Sequence, residues 1–231
     1  MSVPLHGMHG IIAVASRKGG VGKTTITSGV AHAALLAGHK PVIVDADPER
    51  SLDDWLPEDS DSALREQIEI IAEADDMKLR RLIETTLRGR LVIVDTAGFG
   101  NRTAVEAMAL ADLVVMPVQP SKLDVAGTMR TTELIDKVND ARKQRRRPPV
   151  RSVCLLSRTG TNKLTDHFRS DLEDAGFTVL RTQIPNSVQF PNATLFGETP
   201  LSLKPKDKPA QALRDLWAEM ADILATVTVP V

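Results

Sequence analysis

The feature that most constrains the fold is a glycine-rich turn between a short apolar run and a helical pattern. Residues 11–15 predict a strand and residues 24–37 predict a helix, and between them lies Ser16-Arg17-Lys18-Gly19-Gly20-Val21-Gly22-Lys23-Thr24-Thr25. Glycines let consecutive backbone N–H groups turn inward around phosphate oxygens, and the start of a helix adds favourable potential for an anion. The order of strand, turn and helix therefore predicts a phosphate-binding loop.

Strand and helix patterns alternate along almost the whole chain. Further strands are predicted over 41–45, 68–72, 91–95, 113–118, 151–156 and 178–182, and further helices over 76–88, 102–110, 124–144, 163–175 and 208–226. Four of the strands are continuous apolar runs, as expected where helices cover both faces of a parallel sheet. We therefore expect an α/β fold, with a single doubly wound, mostly parallel sheet in one domain over residues 1–231.

The polar residues of the loop have distinct expected tasks. Lys23 should reach the β- and γ-phosphates, the Thr24 hydroxyl should ligate Mg²⁺, and Thr25 should contact the α-phosphate. The backbone that wraps the phosphates would come from Gly19, Gly20, Val21 and Gly22. A flexible glycine turn that carries Lys-Thr by chance is the alternative, and the acidic strand ends further along the chain argue against it.

Two later strands end in aspartates. Asp45 and Asp47 lie at the end of the second strand, and Asp95 follows the run Leu91-Val92-Ile93-Val94. Ligands of open parallel sheets bind at the carboxyl ends of the strands, so we expect these carboxylates to face the phosphates. Asp95 should hold Mg²⁺ through water, and the Gly98 amide could act as a switch at the γ-phosphate. Asp47 could also cap a helix, and the two roles are compatible.

The loop also carries a lysine ahead of its paired glycines. Arg17 stands where the generic phosphate loop has glycine, and Lys18 follows it. The stretch from Lys18 to Thr25 resembles the deviant P-loop of the ParA/MinD family. That resemblance implies that Lys18 reaches across a dimer interface to the nucleotide of the partner subunit.

Other segments extend this resemblance over nearly the whole chain. Asp45-Ala46-Asp47-Pro48 resembles the D-x-D-P switch of the family, which implies that Asp47 orients or deprotonates the attacking water near Mg²⁺ and that Asp45 supports the site. Ile184-Pro185-Asn186-Ser187-Val188 resembles the nucleotide-base loop, which implies base contacts from Arg158, Pro185 and Asn186. The segment from Asp47 to Trp55 is similar to short plasmid partition ATPases of the ParF kind, and we expect no N-terminal helix-turn-helix domain.

What the resemblance implies is an ATPase that uses ATP and Mg²⁺ to position a cargo. ATP would drive a sandwich homodimer, or a higher polymer, that binds DNA non-specifically. A small DNA-binding adaptor protein of the ParB or ParG kind would stimulate hydrolysis during plasmid or chromosome segregation. Two alternatives stay open: positioning of a protein cargo such as a microcompartment or chemosensory cluster, and a biosynthetic P-loop ligase that activates a small carboxylate.

A basic cluster ends the long helix predicted over 124–144. It consists of Arg142, Lys143, Arg145, Arg146 and Arg147. One interpretation is a set of solvated cations favoured at a helix C-terminus. The other is a surface that binds the phosphate backbone of DNA.

Composition limits the remaining possibilities. The net charge of −1 gives no global attraction to nucleic acid, so DNA contacts require a local patch. Cys154 is the one cysteine and lies in an apolar run, so we expect a buried thiol. With no signal peptide or membrane span in the sequence, we expect a cytoplasmic, nucleoid-associated protein that binds no membrane. The amphipathic segment 210–224 carries acidic residues, which favours packing on the sheet over a membrane surface.

Overall fold

A seven-stranded parallel sheet forms the centre of the protein. The computed structural model describes residues 8–56, 62–98, 101–144, 146–160 and 163–227, and within them the strand order is β3-β2-β4-β1-β5-β6-β7. All neighbouring strands pair in parallel, which confirms the prediction of a doubly wound α/β fold. The strands are β1 Gly10–Val14, β2 Pro41–Ala46, β3 Glu69–Ala72, β4 Leu91–Thr96, β5 Leu113–Val118, β6 Arg151–Thr159 and β7 Val179–Pro185.

Helices cover both faces of this sheet, which is why its central strands are buried throughout. Every residue of β2, β4 and β5 is buried. The helices are α1 Lys23–Leu36, α2 Ser51–Trp55, α3 Ala63–Gln67, α4 Asp76–Arg81, α5 Arg102–Leu110, α6 Lys122–Gln144, α7 Lys163–Asp174, α8 Gln189–Thr194, α9 Pro200–Leu203 and α10 Lys208–Val227. A π-helical turn, Leu82–Thr86, continues α4.

One face of the sheet is covered by α1 and α10, and the other by α4 to α7. The final helix packs as its sequence predicts, because its apolar residues are buried in the core: Leu213, Leu216, Trp217, Met220 and Leu224. Gly29 allows α1 to approach α10 closely, since a Cβ at that position would lie 2.5 Å from a methyl carbon of Leu213.

Two further expectations concern the thiol and the membrane. Cys154 is fully buried, and burial raises the pKa of its thiol to about 12, so it is an inert core residue. Among the described helices, none combines the length and the apolar character that crossing a bilayer requires.

The connections place the functional loops at one edge. From β1, the chain passes through α1 to β2 on one side, whereas β4 connects through α5 to β5 on the other side of β1. The strand order therefore reverses beside β1, and in open parallel sheets ligands bind at such a switch point, outside the carboxyl ends of the strands. The loops after β1, β2 and β4 meet at that position.

Candidate phosphate-binding site

The glycine-rich loop adopts a conformation that only glycine tolerates well. Gly20 and Gly22 have φ values of 73° and 94°, in the left-handed region. Gly22 is also the N-cap of α1, which has no side-chain cap, and the first helical hydrogen bond runs from Ile26 N to Gly22 O at 2.9 Å. The backbone N–H groups before Ile26 therefore have no acceptor within the helix. They can donate to an anion, which the start of a helix favours.

A cleft of about 600 Å³ opens in front of this helix start. It brings together predicted residues that follow β1, β2 and β4 and one residue near the end of β6. Its lining also includes five residues that had no role predicted from the sequence: Pro48, Glu49, Ser51, Ala97 and Asn101. The complete lining is Gly19, Gly20, Gly22, Lys23, Thr24, Thr25, Asp47, Pro48, Glu49, Ser51, Ala97, Gly98, Asn101 and Arg158.

Asp95 does not line the cleft itself but is held by two hydroxyls of α1, one of them from the cleft residue Thr24. Thr24 Oγ1 donates to Asp95 Oδ2 at 2.7 Å, and Thr27 Oγ1 donates to Asp95 Oδ1 at 3.2 Å. The carboxyl is only 1% exposed, and burial raises its pKa to about 7, against the lowering effects of Thr24, Lys23 and Thr27. The site therefore holds a carboxylate whose charge is costly without a nearby cation.

This donor set suits Mg²⁺. Hydroxyl and carboxylate oxygens are the hard ligands that Mg²⁺ accepts, and the ion keeps several waters in its shell. Thr24 and Asp95 supply one oxygen of each kind beside the cleft, and a divalent cation there would compensate the buried carboxylate. These two residues fit the ion as the sequence analysis expects.

Asp45 organises the loop that carries Asp47. Asp45 is 1% exposed, and its carboxylate accepts hydrogen bonds from Asp47 N at 3.0 Å and Leu52 N at 3.3 Å. Asp47 lines the cleft, and its Oδ1 accepts from Glu49 N at 3.0 Å. Helix α2 begins at Ser51 with Arg50 as its N-cap, so Asp47 does not cap it and that alternative is wrong.

Lys18 and Val21 do not line the phosphate cleft. They line a separate groove of about 290 Å³ with Arg17, Arg130 and residues at the end of β5. The side chain of Lys18 is exposed, whereas Lys23 is only 9% exposed and lines the cleft. The two lysines of one loop therefore lie in different cavities.

The predicted base-contacting residues lie in a second pocket that adjoins the cleft. Arg158, Pro185 and Asn186 line a space of about 350 Å³, together with Ser157 and Phe190. Arg158, which has a left-handed φ of 52°, lines both cavities, as do residues of the loop. A ligand with phosphates in the cleft could therefore extend a planar group into this pocket.

The basic cluster divides into exposed and buried members. Arg142 is 6% exposed, and its guanidinium donates to the carbonyls of Pro148, Ala109 and Ala111 at 2.7 to 2.9 Å. Its assignment to a surface cluster is wrong, because it anchors the end of α6 to the core.

The other cluster members differ in their contacts. Arg147 is exposed and donates to Glu84 at 2.8 Å. Lys143 and Arg146 are also exposed, and Arg145 lies outside the described residues. The surface available to an anion at this end of α6 is therefore smaller than the sequence suggests.

Three residues near the loop were missed by the sequence analysis. Thr27 follows Thr24 by three residues on α1, and this helical spacing could have identified it. Gln119 Nε2 donates to Gly20 O at 3.3 Å, and Ser157 Oγ donates to Val21 O at 3.2 Å. These two contacts join the ends of β5 and β6 to the loop, and sequence spacing gives no signal for them.

Comparisons with known proteins agree with this geometry. Residues 12–201 match the CobQ/CobB/MinD/ParA nucleotide binding domain. The chain is 27% identical over 201 residues to Maintenance of carboxysome distribution protein A of Halothiobacillus neapolitanus, across 86% of this chain and 90% of that protein. It is 25% identical over 250 residues to Chromosome partitioning protein ParA of Caulobacter vibrioides, across 91% and 93% of the two chains.

A solved structure shows the same fold. The septum site-determining protein MinD complexed with Mg-ADP, from Pyrococcus horikoshii, superposes with a TM-score of 0.75 at 22% identity, over 97% of this chain and 100% of that chain.

Proposed function

Because this chain belongs to the CobQ/CobB/MinD/ParA nucleotide-binding family, we propose that it is an Mg²⁺-dependent ATPase that positions DNA within the cell. ATP joins two copies face to face, and the dimer binds DNA non-specifically. Hydrolysis, stimulated by a small DNA-binding adaptor, releases the DNA. The chromosome-partitioning name of the Caulobacter vibrioides relative supports this function over metabolic ones.

The observation that carries the proposal is the separation of Lys18 from Lys23. Lys23 lines the phosphate cleft of its own chain, whereas Lys18 is exposed and lines the neighbouring groove. A lysine outside its own cleft adds little to the charge there, but it is placed to enter the cleft of a facing copy. Each phosphoryl group would then be held by Lys23 from one subunit and Lys18 from the other.

Within one subunit, the described side chains have different roles. Lys23 neutralises the β- and γ-phosphate oxygens, and the amides at the start of α1 donate to them. Thr24 and Asp95 would hold Mg²⁺, which would supply positive charge to neutralise the charge that develops on the phosphates. Asp47 lines the cleft and orients or deprotonates the attacking water, while Gly98 offers its amide as the switch.

Asp45 gives Asp47 its position. The buried Asp45 carboxylate accepts from the amides on both sides of the turn that follows, those of Asp47 and Leu52. Motion of this turn is therefore coupled to α2, which begins at Ser51 in the lining of the cleft. Through this coupling, the bound nucleotide would change the surface of the dimer.

For DNA, the proposal uses the exposed members of the basic cluster. Lys143 and Arg146 are exposed near the C-terminus of α6 and can contact phosphates without sequence preference. The net charge of −1 makes such a local patch necessary. The dimer, with two patches, would bind DNA more strongly than the monomer, and nucleoid association would follow from ATP binding.

Positioning of a protein cargo is the second candidate function. The carboxysome distribution relative from Halothiobacillus neapolitanus, aligned over 86% of this chain, favours it. The ATP cycle would be the same, but the adaptor would sit on a protein assembly.

Sedimentation with Mg²⁺-ATP or Mg²⁺-ADP, with and without non-specific DNA at two salt concentrations, tests the proposal. We expect a dimer with ATP only, and DNA binding that falls steeply as salt rises. Lys18→Ala should abolish the ATP-dependent dimer but retain ADP binding, and Lys40→Ala serves as the exposed-lysine control. A protein that stays monomeric with ATP, or a Lys18→Ala variant that still dimerises, would contradict the proposal.

A further inference from the structure

We propose that Gln119 and Ser157 are positioning residues that hold two peptide groups of the phosphate loop in their anion-binding orientation. The inference rests on the proposed nucleotide function and deepens it. It starts from the two hydrogen bonds already described, from Gln119 Nε2 to Gly20 O and from Ser157 Oγ to Val21 O. Neither side chain is needed to contact phosphate itself.

The geometry of the peptide bond gives these contacts their effect. In a trans peptide the C=O and N–H groups point in opposite directions. A carbonyl of Gly20 held toward the end of β5 turns the N–H of Val21 the other way, and a carbonyl of Val21 held toward β6 does the same for the N–H of Gly22. Gly20 and Gly22 line the cleft, so we infer that the N–H groups of Val21 and Gly22 are turned toward it.

The backbone of the loop needs such support, because glycine has no strong preference for the left-handed conformation found here. Gly20 and Gly22 have left-handed φ values and can populate several other regions at little cost. Val21, which lies between them, is 2% exposed and packs into the core side of the loop. Two side-chain donors, one just after β5 and one in β6, therefore fix peptide planes of the loop that could otherwise rotate.

The two residues differ in ways that an experiment can use. Ser157 is 2% exposed and lines the base pocket as well, whereas Gln119 is partly exposed and lies outside the phosphate cleft and the base pocket. A loss of affinity in Ser157→Ala could therefore come from the base, but a loss in Gln119→Ala could not. Because pyrophosphate has no base, its binding to Ser157→Ala reports only the effect on the phosphate loop and not the effect on the base pocket.

The test combines calorimetry with amide resonances of the nitrogen-15-labelled protein. We expect Gln119→Ala and Ser157→Ala each to lower the affinity for Mg²⁺-ADP and for Mg²⁺-pyrophosphate by about 3- to 10-fold, as for one lost hydrogen bond. Binding of adenosine should not change in Gln119→Ala, and Ser157→Thr, which keeps the hydroxyl, should restore the affinity lost in Ser157→Ala. The ADP-induced shift should weaken at the Val21 amide in Gln119→Ala and at the Gly22 amide in Ser157→Ala.

Matched controls make the result specific. Gln67→Ala removes an exposed glutamine that also donates to a carbonyl, that of Ala63 at 2.8 Å, and Ser152→Ala removes a serine at the other end of β6. Wild-type affinities in the Gln119 and Ser157 variants, or losses that are equal for adenosine and pyrophosphate, would overturn the inference. A wild-type protein that binds no Mg²⁺-ADP would instead overturn the proposed function.

Discussion

The Thr24 hydroxyl donates to Asp95 Oδ2 at 2.7 Å and so joins the start of α1 to the end of β4. Thr24 in the first turn of α1 and Asp95 near the end of β4 both lie at the switch point of the sheet, and neither could form the site alone. The hydroxyl also orients a carboxylate that burial alone would favour in its neutral form, since its pKa is raised to about 7. The protonation of Asp95 can therefore be followed through the pH dependence of stability and of Mg²⁺-ADP affinity.

The first prediction concerns stability without nucleotide or Mg²⁺. Because the pKa of Asp95 rises from 3.8 to about 7 on folding, the folded state binds the proton more tightly. The contribution of this group to stability is therefore present below pH 4 and is lost as pH rises to about 7. Asp95→Asn should gain stability relative to wild type over that range, by a few kcal/mol at most.

Thermal or urea unfolding at several pH values measures this effect. Asp140→Asn, at an exposed position on α6, is the control. A difference between Asp95→Asn and wild type that stays constant from pH 4 to pH 8 would show that Asp95 titrates normally.

A second prediction concerns Mg²⁺-ADP affinity. In the proposed site the deprotonated Asp95 would hold Mg²⁺, so affinity should rise with pH and level off above about pH 7. Thr27→Val removes a hydrogen bond that lowers this pKa, so the midpoint should move to higher pH. Titration calorimetry at fixed ionic strength measures the midpoint, and Thr132→Val on α6 is the control. An unmoved midpoint would mean that Thr27 does not tune Asp95.

A third prediction separates Asp45, near the end of β2, from Asp47, which follows the strand. Asp45→Ala leaves the amides of Asp47 and Leu52 without their acceptor, so it should lower the free energy of unfolding by about 1–3 kcal/mol and also slow ATP turnover. Asp47→Ala should slow turnover with little effect on unfolding or on ADP binding. Unfolding curves and phosphate release measure the contrast, and equal stability losses in the two variants would contradict it.

A fourth prediction separates the buried and exposed members of the basic cluster. Arg142→Ala removes the donor for three backbone carbonyls and should destabilise the fold by about 3 kcal/mol or more. The double variant Lys143→Ala and Arg146→Ala should keep wild-type stability but weaken DNA binding and reduce its salt dependence. Melting temperatures and DNA binding at two salt concentrations measure both. Unchanged DNA binding in the double variant would remove this patch from the proposal.

Much of the fold could be predicted because it rests on local patterns. The apolar runs of β2, β4 and β5 lie within one residue of their predicted bounds, since strands buried on both faces carry an unbroken signal. The short helices α2, α3, α8 and α9 were not predicted. Helices of four to six residues are too short to be stable by propensity and depend on tertiary contacts, as with the buried Trp55 of α2.

The site was predictable where one loop carries several functional residues in a row. Lys23, Thr24 and Thr25 follow from the spacing of the phosphate loop, and Asp95 follows from its place at a strand end. The contacts of Gln119 and Arg142 were not predictable, because each joins a side chain to a backbone carbonyl that is distant in sequence. Such partners are fixed by packing, and no local pattern encodes them.

Complementation between two inactive variants tests the central claim most directly. Lys18→Ala lacks the lysine that would act in the site of the partner subunit. Asp47→Ala lacks the carboxylate that would act in the site of its own subunit. In a mixed dimer, the Lys18→Ala subunit keeps its own Asp47 and receives Lys18 from its partner, so one complete site forms. We predict that each heterodimer in the mixture regains up to about half the turnover of a wild-type dimer. Turnover that stays at the level of the separate variants, in a mixture where heterodimers are detected, would contradict the claim that Lys18 acts across the interface.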